Sequence, residues 1–304
     1  MAYATPIRTE DLPPYYPTFT GRVVFVSDTE FQRPNKLMDD IIQTVRSGDT
    51  LVFVGDILTL PPGSSTSARK AWDVVIPFFE RLKDMGVRPI VILGNHDGPM
   101  QTASDVLSPV VGQYYGSGSV EKSFTFINGD MAFICLSGRT QHDLDSSYLR
   151  RTLVDLESKG LKKVTIVSHY PIDQIGKMSL SGPRIGSSLL EDKKLYEILS
   201  DFSSRLDLTV LGGHQHVAFS GDYISSDSLI KVRDIHLPSP KIAYRYPNGS
   251  RSQKGYAVFS RMQFSLLSLS GEPLITPSQI KGTKGTFKSD DMVVKTEKPN
   301  LRLN

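Results

Sequence analysis

The sequence contains very little cysteine: Cys135 is the only one in 304 residues. A lone cysteine excludes a disulfide within the chain, and its place in the apolar run 131–136 favours a buried, inert thiol. No uninterrupted apolar stretch approaches the roughly 18 residues that a membrane span requires. Residues 1–17 also lack the basic-then-apolar pattern of a secretory signal. We therefore expect a cytoplasmic protein without a membrane partner.

The chain also has little net charge. Its 35 basic residues and 32 acidic residues leave a formal charge of +3. Residues 281–304 alone contain six basic and three acidic side chains, which accounts for that excess. A neutral body does not favour nucleic acid as the partner. Because charged termini are commonly solvated, we interpret residues 278–304 as a basic C-terminal tail and residues 1–277 as one domain.

Apolar runs alternate with segments of helical periodicity in the first hundred residues. The predicted strands are 22–27, 51–54 and 89–93, and the predicted helices are 35–46 and 67–85. Pro77 lies inside the second helix, where we expect a kink. Alternation of this kind predicts βαβ units and a parallel sheet.

The pattern changes after Pro99. Runs 120–127 and 131–136 flank Asn128-Gly129-Asp130, which predicts an antiparallel hairpin. Further along, we predict helices at 146–158 and 191–202 and strands at 163–167, 206–211, 230–235, 255–260 and 262–269. The chain therefore reads as a single domain with a mixed core.

Five short polar clusters stand out, and four of them directly follow an apolar, β-branched run. They are Asp28-Thr29-Glu30, Gly55-Asp56, Gly94-Asn95-His96-Asp97, Ser168-His169-Tyr170-Pro171 and Gly213-His214-Gln215-His216. If each run is a buried strand of one sheet, residues that are distant in sequence converge at neighbouring strand ends. Convergence of such side chains suggests a two-metal hydrolytic centre.

The residue types in these clusters indicate the metal chemistry. Carboxylates together with imidazoles suit manganese, iron or zinc. Asp56 could bridge two ions, while His214 and His216 could each be directed at a different one. Two cations about 4 Å apart would clamp a phosphate and activate water. Each cluster alone is more often a turn or a cap, so the prediction depends on all of them together.

The order of these motifs resembles the calcineurin-like metallophosphoesterase superfamily, over residues 28–216. The resemblance implies an α/β (α+β) fold, a four-layered αββα sandwich in which two mixed β-sheets are flanked by helices. It also implies a binuclear metal-dependent phosphoesterase in which a hydroxide bridging the two ions attacks phosphorus.

The same resemblance implies a role for each residue that matches a motif. One ion would be bound by Asp28, Glu30, Asp56 and His216, and the other by Asp56, Asn95, His169 and His214. His96 would protonate the leaving oxygen or stabilise the phosphoryl transition state, and Asp97 would orient the ring of His96.

Glu30 departs from the family pattern, which usually has histidine at that position. A carboxylate makes the first site harder and more negative, so we expect two divalent ions, manganese or iron first, with magnesium and zinc as alternatives. In a second interpretation, Glu30 points to solvent and leaves the first site weak or empty.

The substrate is not determined by the resemblance, because family members act on phosphoproteins, cyclic nucleotides, nucleotide or lipid pyrophosphates and DNA ends. Candidate substrate contacts are Arg139, His142, Arg184 and Tyr170. An arginine at either position could bind a phosphate bidentately, or it could form a surface ion pair instead. Tyr170 could stack on a base or sugar, or it could be packing.

Three functional hypotheses follow. The favoured one is a phosphodiesterase or phosphatase acting on a small phosphorylated molecule or nucleotide, because the segments between motifs are short. A nuclease of the same superfamily is the second, and the third is a non-catalytic scaffold that keeps the fold. The oligomeric state cannot be read from the residues.

Overall fold

The structure is a computed structural model. It describes residues 16–32, 36–60, 67–115, 119–172, 188–216, 218–225, 227–241 and 254–274. The predicted basic tail, residues 278–304, and the candidate substrate residue Arg184 both lie outside the described residues, so their predictions stay predictions.

Eleven strands and five α-helices form the described fold. The strands are β1 Val23–Val26, β2 Thr50–Val54, β3 Arg88–Ile92, β4 Phe124–Asn128, β5 Met131–Leu136, β6 Lys163–Ser168, β7 Asp207–Gly212, β8 Phe219–Ile224, β9 Lys231–His236, β10 Gly255–Ser260 and β11 Gln263–Ser268. The helices are α1 Lys36–Thr44, α2 Ala68–Asp84, α3 Met100–Val111, α4 Ser146–Ser158 and α5 Lys193–Phe202.

The first sheet has five strands in the order β11-β10-β1-β2-β3. Strands β1, β2 and β3 are parallel, as the βαβ alternation predicts, while β10 joins β1 antiparallel. All residues of β1 and β2 are buried, which is why these runs are continuously apolar rather than alternating. Val26 pairs with Phe53, so the residues that follow both strands lie side by side.

The second sheet has six strands in the order β4-β5-β6-β7-β9-β8. The predicted hairpin is β4-β5, and it closes at the pair Asn128 and Met131. Strands β5, β6, β7 and β9 are parallel. Ser168 pairs with Gly212, so the residues after β6 and β7 also lie side by side.

The two sheets pack face to face through aromatic side chains. The Phe133 ring of β5 lies 5.8 Å from Phe25 of β1 and 5.2 Å from Phe259 of β10, measured between ring centroids. Helix α2 adds the buried Trp72 and Phe79 to this cluster. A separate cluster joins the other face of the second sheet to α4 and α5. Two mixed β-sheets flanked by helices therefore form the αββα sandwich implied by the resemblance.

Cys135 lies on β5 and is 2% exposed. Burial raises the pKa of its thiol, in agreement with the predicted inert residue. None of the described helices combines the length and the apolar character that crossing a membrane requires.

Two elements were not predicted. Helix α3 contains Pro109 and follows Pro99, so its sequence reads as a loop. Strand β8 is an edge strand of mixed exposure, and its sequence lacks a clear apolar alternation. Pro77 lies inside α2 as predicted, and that helix is assigned continuously from Ala68 to Asp84.

Candidate metal centre

The ends of parallel strands from both sheets bring the predicted clusters together. In the first sheet, the backbone N–H of Asp28 donates to Gly55 at 3.0 Å, and that of Glu30 donates to Asp56 at 2.9 Å. In the second sheet, the N–H of Gly213 donates to the carbonyl of His169 at 3.0 Å. Backbone hydrogen bonds therefore join four of the five clusters in two pairs.

The predicted ligands adopt an unusual backbone conformation. Eight residues other than glycine have positive φ angles in the described part of the chain, and five of them are predicted ligands: Asp28 at 54°, Glu30 at 47°, Asp56 at 48°, His214 at 65° and His216 at 56°. The left-handed region costs an L-residue on the order of 1–2 kcal/mol. Such strain persists only where the surrounding structure fixes the geometry, and it concentrates here at the strand ends that carry the ligands.

Two glycines allow the ligands to approach each other. A Cβ atom at Gly55 would lie 2.3 Å from the His169 ring, and one at Gly94 would lie 2.5 Å from Asp56 Oδ1. These separations are far below van der Waals contact. Glycine before Asp56 and glycine before Asn95 are therefore required for His169 and Asp56 to lie this close.

The predicted second site forms a compact group. Ligand atoms of Asp56, His169 and His214 all lie within 4.8 Å of one another. His169 Nε2 lies 3.2 Å from Asp56 Oδ2, 3.1 Å from Asn95 Oδ1 and 3.1 Å from His214 Nδ1. All four predicted ligands of this site therefore meet around one nitrogen atom.

The donor set at His169 fits a cation. His169 Nδ1 lies 3.1 Å from the carbonyl oxygen of Val54, which can only accept, so Nδ1 carries a proton. Nε2 carries a second proton when the ring is charged, and it has a lone pair that a metal ion can use when the ring is neutral. That lone pair faces the oxygens of Asp56 and Asn95 and a nitrogen of His214. Electron-rich atoms converge in this way around a metal ion or a shared proton.

The pKa values of these groups are shifted by the same close, buried packing of Asp56, His169 and His214. Burial alone would lower the pKa of His169, but the Asp56 carboxylate outweighs burial and raises that pKa to about 9. Burial, with the neighbouring His169 ring, lowers the pKa of His214 to about 4. Burial opposes ionisation of Asp56, yet His169 holds the Asp56 pKa at about 2. A positive charge is therefore favoured at the centre of this group, and a divalent ion would supply it.

The predicted first site is looser. His216 Nε2 lies 3.1 Å from Asp28 Oδ1 and 3.8 Å from Glu30 Oε1. Asp28 Oδ2 accepts hydrogen bonds from Ser27 Oγ and from the N–H of His214, while the buried Oδ1 faces His216 Nε2. A buried carboxylate oxygen and an imidazole nitrogen at this distance can share either a proton or a metal ion. No other set of three or more histidine, cysteine or acidic side chains in the described ranges is as compact as the second site.

Glu30 points into this site rather than to solvent. Its side chain is 14% exposed, and burial raises its pKa although His216 and Lys241 act in the opposite direction. The interpretation in which Glu30 faces solvent therefore does not fit the structure.

His96 is placed next to the two sites by its backbone. Its N–H donates to Asp56 Oδ1 at 2.8 Å, and its ring Nδ1 lies 3.0 Å from the carbonyl oxygen of Leu60. Because a carbonyl only accepts, Nδ1 carries the proton, and Nε2 is the nitrogen that can exchange one.

The structure corrects the expected role of Asp97. Its two carboxylate oxygens accept from the N–H groups of Leu58 at 2.9 Å and Gly94 at 2.8 Å, whereas the His96 ring is oriented by Leu60. Burial, then the charge of Asp56, raises the pKa of Asp97 to about 7. Asp97 therefore shapes the loop that carries His96 and does not orient its ring.

Helix α2 also holds this loop. The indole Nε1 of the fully buried Trp72 donates to the carbonyl oxygen of Asp97 at 3.1 Å. The loop 94–97 is therefore fixed from both sides, by its own carboxylate and by a helix of the outer layer.

The candidate substrate residues occupy different positions. The Tyr170 ring is buried, with its centroid 5.1 Å from that of His169 and 5.2 Å from that of His214, and its hydroxyl donates to the carbonyl of Arg139. The Tyr170 ring therefore packs against the histidines of the second site. Arg139 Nε is buried without a hydrogen-bond partner in the described part of the chain. The exposed His142 pairs with Asp192 at 3.1 Å.

Sequence reasoning missed two residues that contact the first cluster, Ser239 and Lys241. Ser239 Oγ donates to the carbonyl of Asp28 at 2.8 Å, and Lys241 Nζ donates to the carbonyl of Glu30 at 2.5 Å. Both follow β9, which is parallel to β7. The signal that could have found them is position, because they follow the end of a predicted strand, as the ligands do.

The family is established by sequence. The family model of calcineurin-like phosphoesterases matches residues 21–218, and the chain belongs to that family. The match contains the five clusters, both sheet edges that carry them, and helices α1 to α5. No curated protein matches the sequence.

Several solved structures, two of them of phosphoesterases, are similar over most of the chain. Yfce, a phosphoesterase from E. coli, is 12% identical with a TM-score of 0.40, covering 84% of this chain and 97% of its own. The protein TT1561 of Thermus thermophilus is 11% identical with a TM-score of 0.43, covering 82% and 98%. A metallophosphoesterase from Sphaerobacter thermophilus is 14% identical with a TM-score of 0.33, covering 81% and 87%. Similarity of this degree says nothing about substrate.

Proposed function

We propose that the protein is a metal-dependent phosphoesterase that holds two divalent ions and hydrolyses phosphodiester or phosphomonoester bonds of a small phosphorylated molecule or nucleotide. The observation that carries the proposal is the convergence of Asp56, Asn95 and His214 on Nε2 of His169. Membership of the calcineurin-like phosphoesterase family supports the reaction class.

The ligands divide into two sets that share Asp56. Asn95, His169 and His214 complete the set around His169, and Asp28, Glu30 and His216 complete the other. Such ions, when bound, provide Lewis-acid activation of water and of the phosphoryl group. Three carboxylates in one centre favour manganese or iron, with magnesium and zinc as alternatives.

His96 is proposed to transfer a proton to the leaving oxygen. Its Nδ1–H is directed at Leu60, so the protonated ring would donate through Nε2. The hydrogen bond from its N–H to Asp56 keeps the ring at a fixed position relative to the shared ligand. No other group is needed to orient the ring, because the Leu60 carbonyl already does so.

A small substrate is favoured by charge. The excess of basic residues is confined to residues 281–304, so the body that carries the site has no net positive charge to attract a polynucleotide. A phosphorylated small molecule needs only local recognition at the strand ends.

The decisive experiment removes metal and then restores one ion at a time. Protein stripped with a chelator is assayed with bis-p-nitrophenyl phosphate and p-nitrophenyl phosphate after addition of Mn²⁺, Fe²⁺, Mg²⁺ or Zn²⁺. We expect turnover with Mn²⁺ or Fe²⁺ and little without added metal. The ratio of the two rates distinguishes a diesterase from a monoesterase. Absence of turnover with every ion would refute the enzymatic function and favour the non-catalytic scaffold.

A further inference from the structure

The first site contains an excess of negative charge. Asp28 and Asp56 are buried, and Glu30 is 14% exposed in its side chain. Together, three carboxylates offset most of the charge of two divalent ions. A centre built in this way attracts metal strongly but attracts an anionic substrate weakly, since the positive charge left for a phosphoryl group is small.

Lys241 is the cation adjacent to this excess. Its Nζ donates to the carbonyl oxygen of Glu30 at 2.5 Å and lies 3.7 Å from Glu30 Oε2. The second distance is too long for a hydrogen bond but lies within the 4 Å limit of an ion pair. The Lys241 ammonium therefore lies next to the carboxylate of Glu30.

The backbone holds Lys241 in this position. Ser239 is fully buried, its Oγ donates to the carbonyl of Asp28 at 2.8 Å, and the same oxygen accepts from the N–H of Lys241 at 3.1 Å. Leu237 N–H donates to Gly212 at 2.7 Å and fixes the start of the segment beside β7. Residues 237–241 are thus bound to both sheets where the ligand clusters begin.

The chemistry of the ammonium allows a second contact. An ammonium group has three donors, and the Lys241 side chain is 32% exposed. A flexible four-carbon stem and partial exposure let a group from solvent reach Nζ while it stays beside Glu30. A phosphoryl oxygen is the anion that the proposed reaction brings to this position.

We propose that Lys241 binds a phosphoryl oxygen of the substrate at the first site and offsets the charge of Glu30. This inference rests on the proposed function. Lys241 and the metal ligands then have opposite electrostatic effects, because a cation beside the site opposes metal binding and assists anion binding. A residue that merely stabilised the loop would affect both in the same direction.

The test measures the two effects separately in the full chain. Isothermal titration first gives the affinity for Mn²⁺, and a second titration of the Mn²⁺-loaded protein gives the affinity for inorganic phosphate. For Lys241→Met, we expect Mn²⁺ to bind several-fold more tightly and phosphate about tenfold more weakly. Lys241→Arg keeps the charge and should behave like the wild type in the Mn²⁺ titration.

Two further variants make the test specific. Lys163→Met removes a surface lysine that pairs with Asp130 at 2.8 Å, away from the ligand clusters, and should change neither affinity. Glu30→Gln should weaken Mn²⁺ binding, and its combination with Lys241→Met should recover part of that loss. Non-additivity of the two changes measures the coupling between the side chains.

The outcomes separate this inference from the function on which it rests. Wild-type protein that binds no Mn²⁺ would refute the two-metal centre itself, and the role of Lys241 with it. Wild-type protein that binds Mn²⁺, combined with unchanged phosphate affinity in Lys241→Met, would refute the role of Lys241 alone. Weaker binding of both ligands in Lys241→Met would identify a structural role and also overturn the inference.

Discussion

Single residues in the centre divide into those proposed to hold charge and those proposed to move a proton. His169 is oriented by the Val54 carbonyl so that one nitrogen faces Asp56, Asn95 and His214. His96 contributes a backbone contact to the same carboxylate while its ring faces Leu60. The two histidines therefore have different contacts, and different proposed roles, although both lie beside Asp56.

Substitution of these residues tests the division. His96→Ala should lower kcat by about 10²–10⁴-fold, because proton transfer to the leaving oxygen is lost while every ligand stays in place. Asp56→Ala should lose both turnover and metal, since the shared ligand is removed. Metal content measured by atomic absorption beside steady-state kinetics distinguishes the two variants. Loss of metal in His96→Ala would contradict the proton-transfer role.

At the scale of elements, the ends of strands determine the site. Glycine follows β2 directly, and Gly94 follows β3 at a distance of one residue. Each glycine leaves the space that the ring of His169 or the carboxylate of Asp56 occupies. The strands direct the predicted ligands to one edge of each sheet. The missing side chain of each glycine lets these ligands approach one another.

Gly94→Ala is expected to damage the site more than the fold. The added methyl would lie 2.5 Å from Asp56 Oδ1 and 2.6 Å from the Asp56 nitrogen, and overpacking of this kind costs roughly 1–3 kcal/mol. Mn²⁺ affinity should fall with it, because Asp56 must shift. Urea denaturation and Mn²⁺ titration measure the two effects. Gly160→Ala is the control, since no atom lies within 4 Å of its Cβ and only backbone strain at φ +78° is added.

At the scale of the whole molecule, the centre joins the two sheets. Asp28, Glu30, Asp56 and Asn95 follow strands of the first sheet, and His169, His214 and His216 follow strands of the second. An ion bound between them adds links across the sandwich that the unfolded chain does not have. Metal binding is therefore coupled to the stability of the fold.

Thermal unfolding should reveal this coupling. At a free Mn²⁺ concentration about 100 times Kd, the folded state gains about 2.7 kcal/mol, which shifts Tm upward by several degrees. Differential scanning calorimetry with Mn²⁺ and with chelator measures the shift. Asp56→Ala should show little of it. An identical Tm under both conditions in the wild type would mean that the ions do not bind the folded chain.

Sequence alone predicted much of this arrangement, because long apolar runs and clustered ligands are both visible in one dimension. Strands β1, β2 and β5 are continuously buried, so their composition identifies them. Helix α3 and strand β8 were missed, since a proline and mixed exposure hide their periodicity.

The site was predicted less completely than the strands. The convergence of the predicted ligands was anticipated from their motifs, but the orientation of each ring depends on contacts distant in sequence. The Leu60 carbonyl orients His96, and the backbone of Gly94 and Leu58 binds Asp97. Lys241 was missed for the same reason, because its residue type alone does not distinguish it from a solvated lysine and only its position after a strand end points to the site.

The hydrogen bond from Trp72 to the Asp97 carbonyl gives the protein its own optical reporter. Trp72 is the sole tryptophan, so the indole emission of the chain arises from one ring that is buried and bonded to the loop carrying Asn95 and His96. We expect a shift of the 94–97 loop to change the emission wavelength or yield of this ring. Titration with Mn²⁺ while the emission is recorded would then follow ion binding without a label or a substrate, and an unchanged spectrum would mean that the loop does not move.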